Sequence, residues 1–166
     1  MTLAAALVFA AALAHPQDAA SDAAYYAFWP GTWCAVANGA PNPDDSCFTV
    51  KAGAHAAAFE EEWVQLADGQ RLMSRAMRAW DPVEKRWMLV WVSDQGHFQI
   101  WNGVKVGADW YIVREFEQDG RRFLSRQAWI PTGAGRLVRV MERSFDNGAT
   151  WQPRSRTEFG RLSDTR

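Results

Sequence analysis

Between Glu60 and Arg161 apolar and polar residues alternate in short runs, and a turn signal closes each run. The signals are Asp68-Gly69, Asp81-Pro82, Asp94-Gln95-Gly96, Gly107-Ala108-Asp109, Asp119-Gly120, Gly133-Ala134-Gly135 and Asp146-Asn147-Gly148. A period of two sends successive side chains to opposite faces of a strand. Strands at roughly 8–12-residue spacing, joined by tight turns, describe an antiparallel meander. The pattern predicts ten strands: 32–37, 47–51, 56–66, 70–80, 86–93, 97–104, 110–117, 121–130, 136–145 and 154–162. A short helix through Tyr26 and Phe28, capped by Ser21 or Asp22, precedes them, and Trp29-Pro30-Gly31 ends it. Pro131 and Pro153 fall at strand ends, where a missing N–H is harmless. The expected fold is all-β, a single up-and-down antiparallel barrel of about ten strands, because closure removes both exposed edges.

Tryptophan sets the phase of the strands. The chain holds 10 Trp, and nearly every predicted strand carries one. Following their alternation collects Glu61, Trp63, Trp91, Trp101, Arg114, Gln127, Trp129 and Arg143 on the inner face. On the strand from His97, Phe98 and Ile100 compete with Gln99 and Trp101 for the inside. The interior is then aromatic and also charged. An unpaired buried charge is expensive, so Glu61, Arg114 and Arg143 each need a partner, and Gln127 needs a hydrogen bond. Internal pairing of Glu61 with Arg114 or Arg143 is one solution. The other is an aromatic pocket with cationic heads that takes a small amphipathic, partly anionic molecule. In that reading Trp63, Trp91, Trp101 and Trp129 line the pocket, and Arg114 and Arg143 orient a polar head.

The formal net charge is -1 with no basic stripe, which argues against nucleic acid as a partner. The apolar run from Leu3 to Ala14 is shorter than the roughly 20 residues that span a bilayer. It has the length of a signal-peptide core, and Ala12-Leu13-Ala14 offers a small-x-small cleavage pattern before His15, although no Lys or Arg precedes it. Residues 1–14 are therefore expected to be a signal peptide and 15–166 the barrel domain, with a buried helix as the alternative for the leader. The expected location is periplasmic or secreted, with no stable membrane insertion after cleavage. In an oxidising compartment the only two cysteines, Cys34 and Cys47, are expected to bridge. Two Cys without a paired His cannot complete a tetrahedral metal shell, and His15, His55 and His97 lack metal-binding spacing. No metal and no cofactor are expected.

Two motifs carry a family resemblance. Gly31-Thr32-Trp33, directly after the short helix, resembles the G-x-W that opens the first strand in lipocalins and the wider calycin superfamily. The resemblance implies that Trp33 packs at the barrel floor beneath an Arg of the last strand, Arg156 or Arg161. Ser144 to Trp151 fits the S-x-D-x-G-x-x-W pattern of an Asp box: Asp146 caps the turn, Gly148 takes the positive-φ position and Trp151 folds over the hairpin. It is read as a hairpin fastener. Together with Trp80-Asp81, Trp87 to Trp91, Asp94-Gln95-Gly96 and Arg161, it makes the stretch from Glu60 similar to secreted bacterial lipocalin-like proteins of unknown function. Asn147 stands where that pattern usually has Gly, which Asn tolerates. The resemblance implies a fold and no activity.

No G-x-S-x-G elbow and no phosphate loop occur. Glu60-Glu61-Glu62 sends alternate carboxylates to opposite faces, so no acidic dyad is indicated. No catalytic residue is assigned. The expected function is an exported, non-enzymatic binder of a small hydrophobic or amphipathic molecule. Two alternatives stand beside it. One is an enzyme on the same barrel, with Glu61 or His97 as general acid or base on a lipid-like substrate. The other is an envelope module whose Trp side chains fill a solid core.

Overall fold

The computed structural model describes residues 21–54, 57–67, 69–133 and 135–163. The expected leader, its expected cleavage point before His15, and His55 lie outside the described residues. The strands are β1 (Gly31–Ala37), β2 (Ala40–Pro41), β3 (Cys47–Ala52), β4 (Ala58–Ala67), β5 (Gln70–Asp81), β6 (Arg86–Ser93), β7 (Phe98–Val106), β8 (Asp109–Gln118), β9 (Arg121–Gly133), β10 (Arg136–Ser144) and β11 (Gln152–Arg161). From β3 to β11 each strand pairs antiparallel with the next, β3 pairs with β1, and β11 returns to β1. The result is a closed barrel of ten strands, with β2 as an eleventh lying beside Val36 and Ala37. Two residues are too few for an alternation to register, so β2 reads as loop in the sequence.

The tryptophan phase holds around the barrel. Trp33, Trp63, Trp87, Trp101, Trp110 and Trp129 are all buried. The contest on β7 goes to Trp101, and Phe98 and Ile100 face outward at 62% and 51% exposure. Both prolines sit within two residues of a strand end. Pro131 of β9 lies opposite Leu137 beside a register shift at Arg136/Leu137, and Pro153 of β11 lies opposite Glu142 beside a shift at Met141/Glu142. A bulge interrupts the ladder locally, which is where a residue without an N–H fits.

The segment before β1 closes one end of the barrel. It forms a 3-10 helix, Tyr25–Phe28, whose N-cap is Ala24 without a side-chain cap. Asp22 does not cap it, because its carboxylate accepts from Lys105 Nζ at 2.5 Å and Trp110 Nε1 at 3.4 Å. Its carbonyl accepts from Trp87 Nε1 at 2.9 Å, and Tyr25 OH donates to Asp109 at 2.9 Å. These ties draw the segment across the end where the β5–β6, β7–β8 and β9–β10 turns lie. At the same end the Arg161 guanidinium stacks 4.4 Å above the Trp33 ring and donates to the carbonyls of Phe28 and Pro30. Gly31 is required there: its φ is +126°, and a Cβ would lie 2.2 Å from Arg161 Nη1. The floor Arg is thus Arg161, while Arg156 is exposed.

Cys34 and Cys47 face each other across β1 and β3 and are joined by a disulfide. The β10–β11 turn is fastened from within. Asp146 accepts from Ser144 Oγ at 2.7 Å, Thr150 N at 2.9 Å and Thr150 Oγ1 at 2.5 Å. Asn147 and Gly148 take positive φ, and Trp151 Nε1 donates to Gly148 O at 3.1 Å. The Thr150 and Ser144 hydrogen bonds pull the Asp146 carboxyl down to about 2. A depressed folded pKa adds stability that is present above the unfolded value and lost as pH falls through the folded one. Asp146→Asn should therefore melt below wild type at neutral pH, and the two melting temperatures should converge as pH falls toward 2. Parallel curves down to that pH would remove Asp146 as the fastener. Cleaving the disulfide, which closes a 13-residue separation, should cost about 3 kcal/mol. Urea unfolding with and without reductant reads this.

Candidate ligand-binding cavity

The barrel is filled at its plugged end and hollow at the other, and a buried ion pair marks the border. Glu61 of β4 and Arg78 of β5 point inward from adjacent strands. Arg78 Nε donates to Glu61 Oε1 at 2.7 Å, and both side chains are essentially inaccessible. This corrects the pairing expected from the sequence: Glu61 pairs with neither Arg114 nor Arg143. The carboxylate also accepts Trp29 Nε1 on Oε1 and Trp63 Nε1 on Oε2, each at 3.0 Å. Arg78 Nη1 donates to Tyr26 OH at 2.9 Å, and that hydroxyl donates to Trp110 O at 3.3 Å. The guanidinium lies against the rings of Tyr26, Trp29 and Trp129, at 4.5, 5.2 and 4.7 Å. Burial alone would lower the Arg78 pKa. The Glu61 charge, with Tyr26 and the hydrogen bonds, outweighs burial and holds it above its ordinary value.

Above this pair is an open cavity of about 250 Å³. Gln65, Trp91, Gln99, Phe116, Phe123 and Arg143 line its outer part, near the turns opposite the plug. Ala76, Leu89, Trp101, Gln127, Trp129 and Arg139 lie deeper, with Glu61 and Trp63 below. Seven of the eight residues singled out in the sequence border this space: Glu61, Trp63, Trp91, Trp101, Gln127, Trp129 and Arg143. Arg114 does not. Its guanidinium turns across the rim, 5.1 Å from the Phe116 ring, and donates to Phe98 O at 3.5 Å.

Arg139 shares the inward alternation of Leu137 and Arg143 on β10 and also borders this space. It stands on β10 opposite Trp129, and its Nε and Nη2 both donate to Gln127 Oε1, at 3.0 and 2.7 Å. The Trp63 and Trp129 rings lie 5.8 and 5.6 Å from the guanidinium. Burial pulls its pKa down to about 10, and the Glu61 charge draws it back only in part. Arg139 is half-buried and lines the cavity.

Several arginines at this end stand without an ion pair. Among the described residues Arg114, Arg121, Arg139 and Arg143 make no ion pair, whereas Arg75, Arg86, Arg122, Arg126 and Arg136 each meet a carboxylate. The rim arginines rest on aromatic faces instead, Arg143 on Phe123 at 4.4 Å and Arg121 on Phe145 at 3.9 Å. His97 is exposed beside the mouth, its Nδ1 3.2 Å from Ser93 Oγ and its ring stacked 6.4 Å from Trp91. A second hollow of about 370 Å³ mixes outward residues such as Glu62, Arg75 and Val92 with the edge of the core. Of its charged groups, Arg75 and Glu62 pair with each other and Asp94 accepts from Met73 N. The smaller space holds Arg139 and Arg143, arginines without an ion pair, and is the better candidate.

No family model matches the chain, and no curated protein matches it. Among the described residues no cluster of His, Cys, Asp and Glu is placed to hold a metal ion, and no helix is long and apolar enough to cross a membrane.

Removing one member of a buried ion pair strands the other. Arg78→Met should cost about 3–5 kcal/mol in urea unfolding, while Glu61→Leu combined with Arg78→Met should be more stable than either single variant. A single Arg78→Met variant as stable as wild type would show that the pair does not organise the core.

Proposed function

We propose that this chain is an exported, lipocalin-like binding protein whose barrel holds a small amphipathic molecule with an anionic group. One observation carries the reading: an open aromatic cavity whose arginines, Arg139 and Arg143, make no ion pair. Aromatic walls favour an apolar body, and unpaired guanidinium groups favour a negative head. The cavity, about 250 Å³, lies just below the usual range of about 300–1,000 Å³ for small-molecule sites, so the ligand is compact. Gly31, Trp33 and Arg161 at the floor support lipocalin-like kinship. The Cys34–Cys47 disulfide and the apolar run from Leu3 to Ala14 support export.

The alternatives are weaker. Glu61 is saturated by three donors, so it is poorly placed to take a proton from a substrate, and His97 does not line the cavity. A solid-core module does not need the open space.

Native mass spectrometry of the protein taken from its own compartment should show a reproducible added mass that denaturation removes. A clean apo mass, with no binding from a library of small organic anions, would sink the reading. The rim charges should also steer the ligand. Association rates followed by Trp fluorescence should fall as salt shortens the Debye length from about 30 Å to about 8 Å. Arg143→Gln should flatten that dependence, and a salt-independent rate in wild type would contradict the steering.

A further inference from the structure

Arg139 and Gln127 form a built site within the cavity. The Arg edge carrying Nε and Nη2 is held by Gln127 Oε1, which orients the guanidinium. The same bond turns the Gln127 Nε2 end away from Arg139. Gln127 is only 7% exposed, and its Nε2 has no partner among the described residues although it lies on the cavity wall. Arg139 Nη1 likewise has no described hydrogen-bond partner, and the residue lines the same space. Two donors are thus left over beside one formal positive charge, flanked by the Trp63 and Trp129 rings. The nearby carboxylate, Glu61, is already occupied by Arg78, Trp29 and Trp63.

We infer that Arg139 and Gln127 are the head-group site for a compact aromatic monocarboxylate, which binds with its carboxylate inward. This deepens the binding reading above and rests on it. A carboxylate matches the planar fork of an arginine. Arg143 lies four residues further along β10, about 13 Å away between Cα atoms by strand rise, and its guanidinium rests on the Phe123 ring, so Arg139 supplies the inner charge. The body then lies outward against Trp91, Trp101, Phe116 and Phe123, where ring–ring contact favours an aromatic skeleton. The rim arginines guide entry, and Arg139 retains the head.

Calorimetric titration with naphthoate and with naphthylmethanol, the same ring system with a neutral head, tests this. Wild type should bind naphthoate more tightly than the alcohol. Arg139→Gln should weaken naphthoate about 10- to 100-fold and leave the alcohol unchanged. Arg139→Lys should restore part of the loss, and Arg143→Gln should weaken the anion less than Arg139→Gln does. Near-UV circular dichroism checks that each variant keeps its core. Equal binding of the two probes, unmoved by either Arg139 variant, would overturn the inference and leave the binding reading intact. If neither probe binds while the native protein carries an added mass, the ligand class proposed here is wrong. If neither binds and the native mass is clean, the binding reading falls with it.

Discussion

The Glu61–Arg78 ion pair is the constraint on which the rest of this barrel depends. Bringing two charges out of water costs several kcal/mol for each ion, and their attraction offsets this only when the remaining donors and acceptors are also engaged. Here the pair recruits its surroundings to meet most of that requirement, leaving Arg78 Nη2 without a hydrogen-bond partner. Glu61 takes the indole N–H of Trp29 from the plug and that of Trp63 from the wall, while Arg78 reaches Tyr26. One carboxylate and one guanidinium thereby tie the N-terminal segment, β4 and β5 into a single layer. Below it the barrel is packed with aromatic rings, with Tyr26 against Trp87 and Trp29 against Phe48. Above it the walls draw apart around the aromatic-lined cavity.

That division explains why two sets of interior arginines behave differently. Arg78 sits in the layer where every group converges, and its charge is met. Arg139 and Arg143 sit above it and are met only by an amide and by ring faces. A cation over a ring contributes about 0.5–1 kcal/mol at an exposed site, less than a hydrogen bond to a charged group at about 1.5–3 kcal/mol. The rings hold the side chains in place without satisfying them, so the upper chamber stays electrostatically unfinished in a way the lower one is not.

Much of this was legible in the sequence because tryptophan has a large apolar surface and gains most by facing inward. Its alternation marked the inner face on β7 even where Phe98 and Ile100 made the opposite face look more apolar. The disulfide and the floor stack of Arg161 on Trp33 were readable as well, since each rests on few residues with few alternatives. Pairings were harder. Arg78 shared the face of Ala76 and Trp80, but a lone arginine on a strand reads as solvated, and Glu61 was matched to more distant strands. Nothing in the spacing says which of several inward arginines stands next to an inward carboxylate; strand register decides that. Rotamers set the remaining difference. Arg114 has the right phase yet folds over the rim, and Asp22 serves Lys105 and Trp110 where a helix cap was expected.

The seam between β1 and β11 has a kinetic meaning. It pairs Trp33 with Arg161, so residues from opposite ends of the domain must meet before the cylinder exists. Local hairpins can form as the chain appears, but the last ladder spans nearly the whole domain, and topologies rich in such distant contacts fold slowly. Until it forms, β1 and β11 both present open edges able to recruit another chain. The time between release of the chain and closure of the seam is therefore the interval in which this protein is most exposed to aggregation.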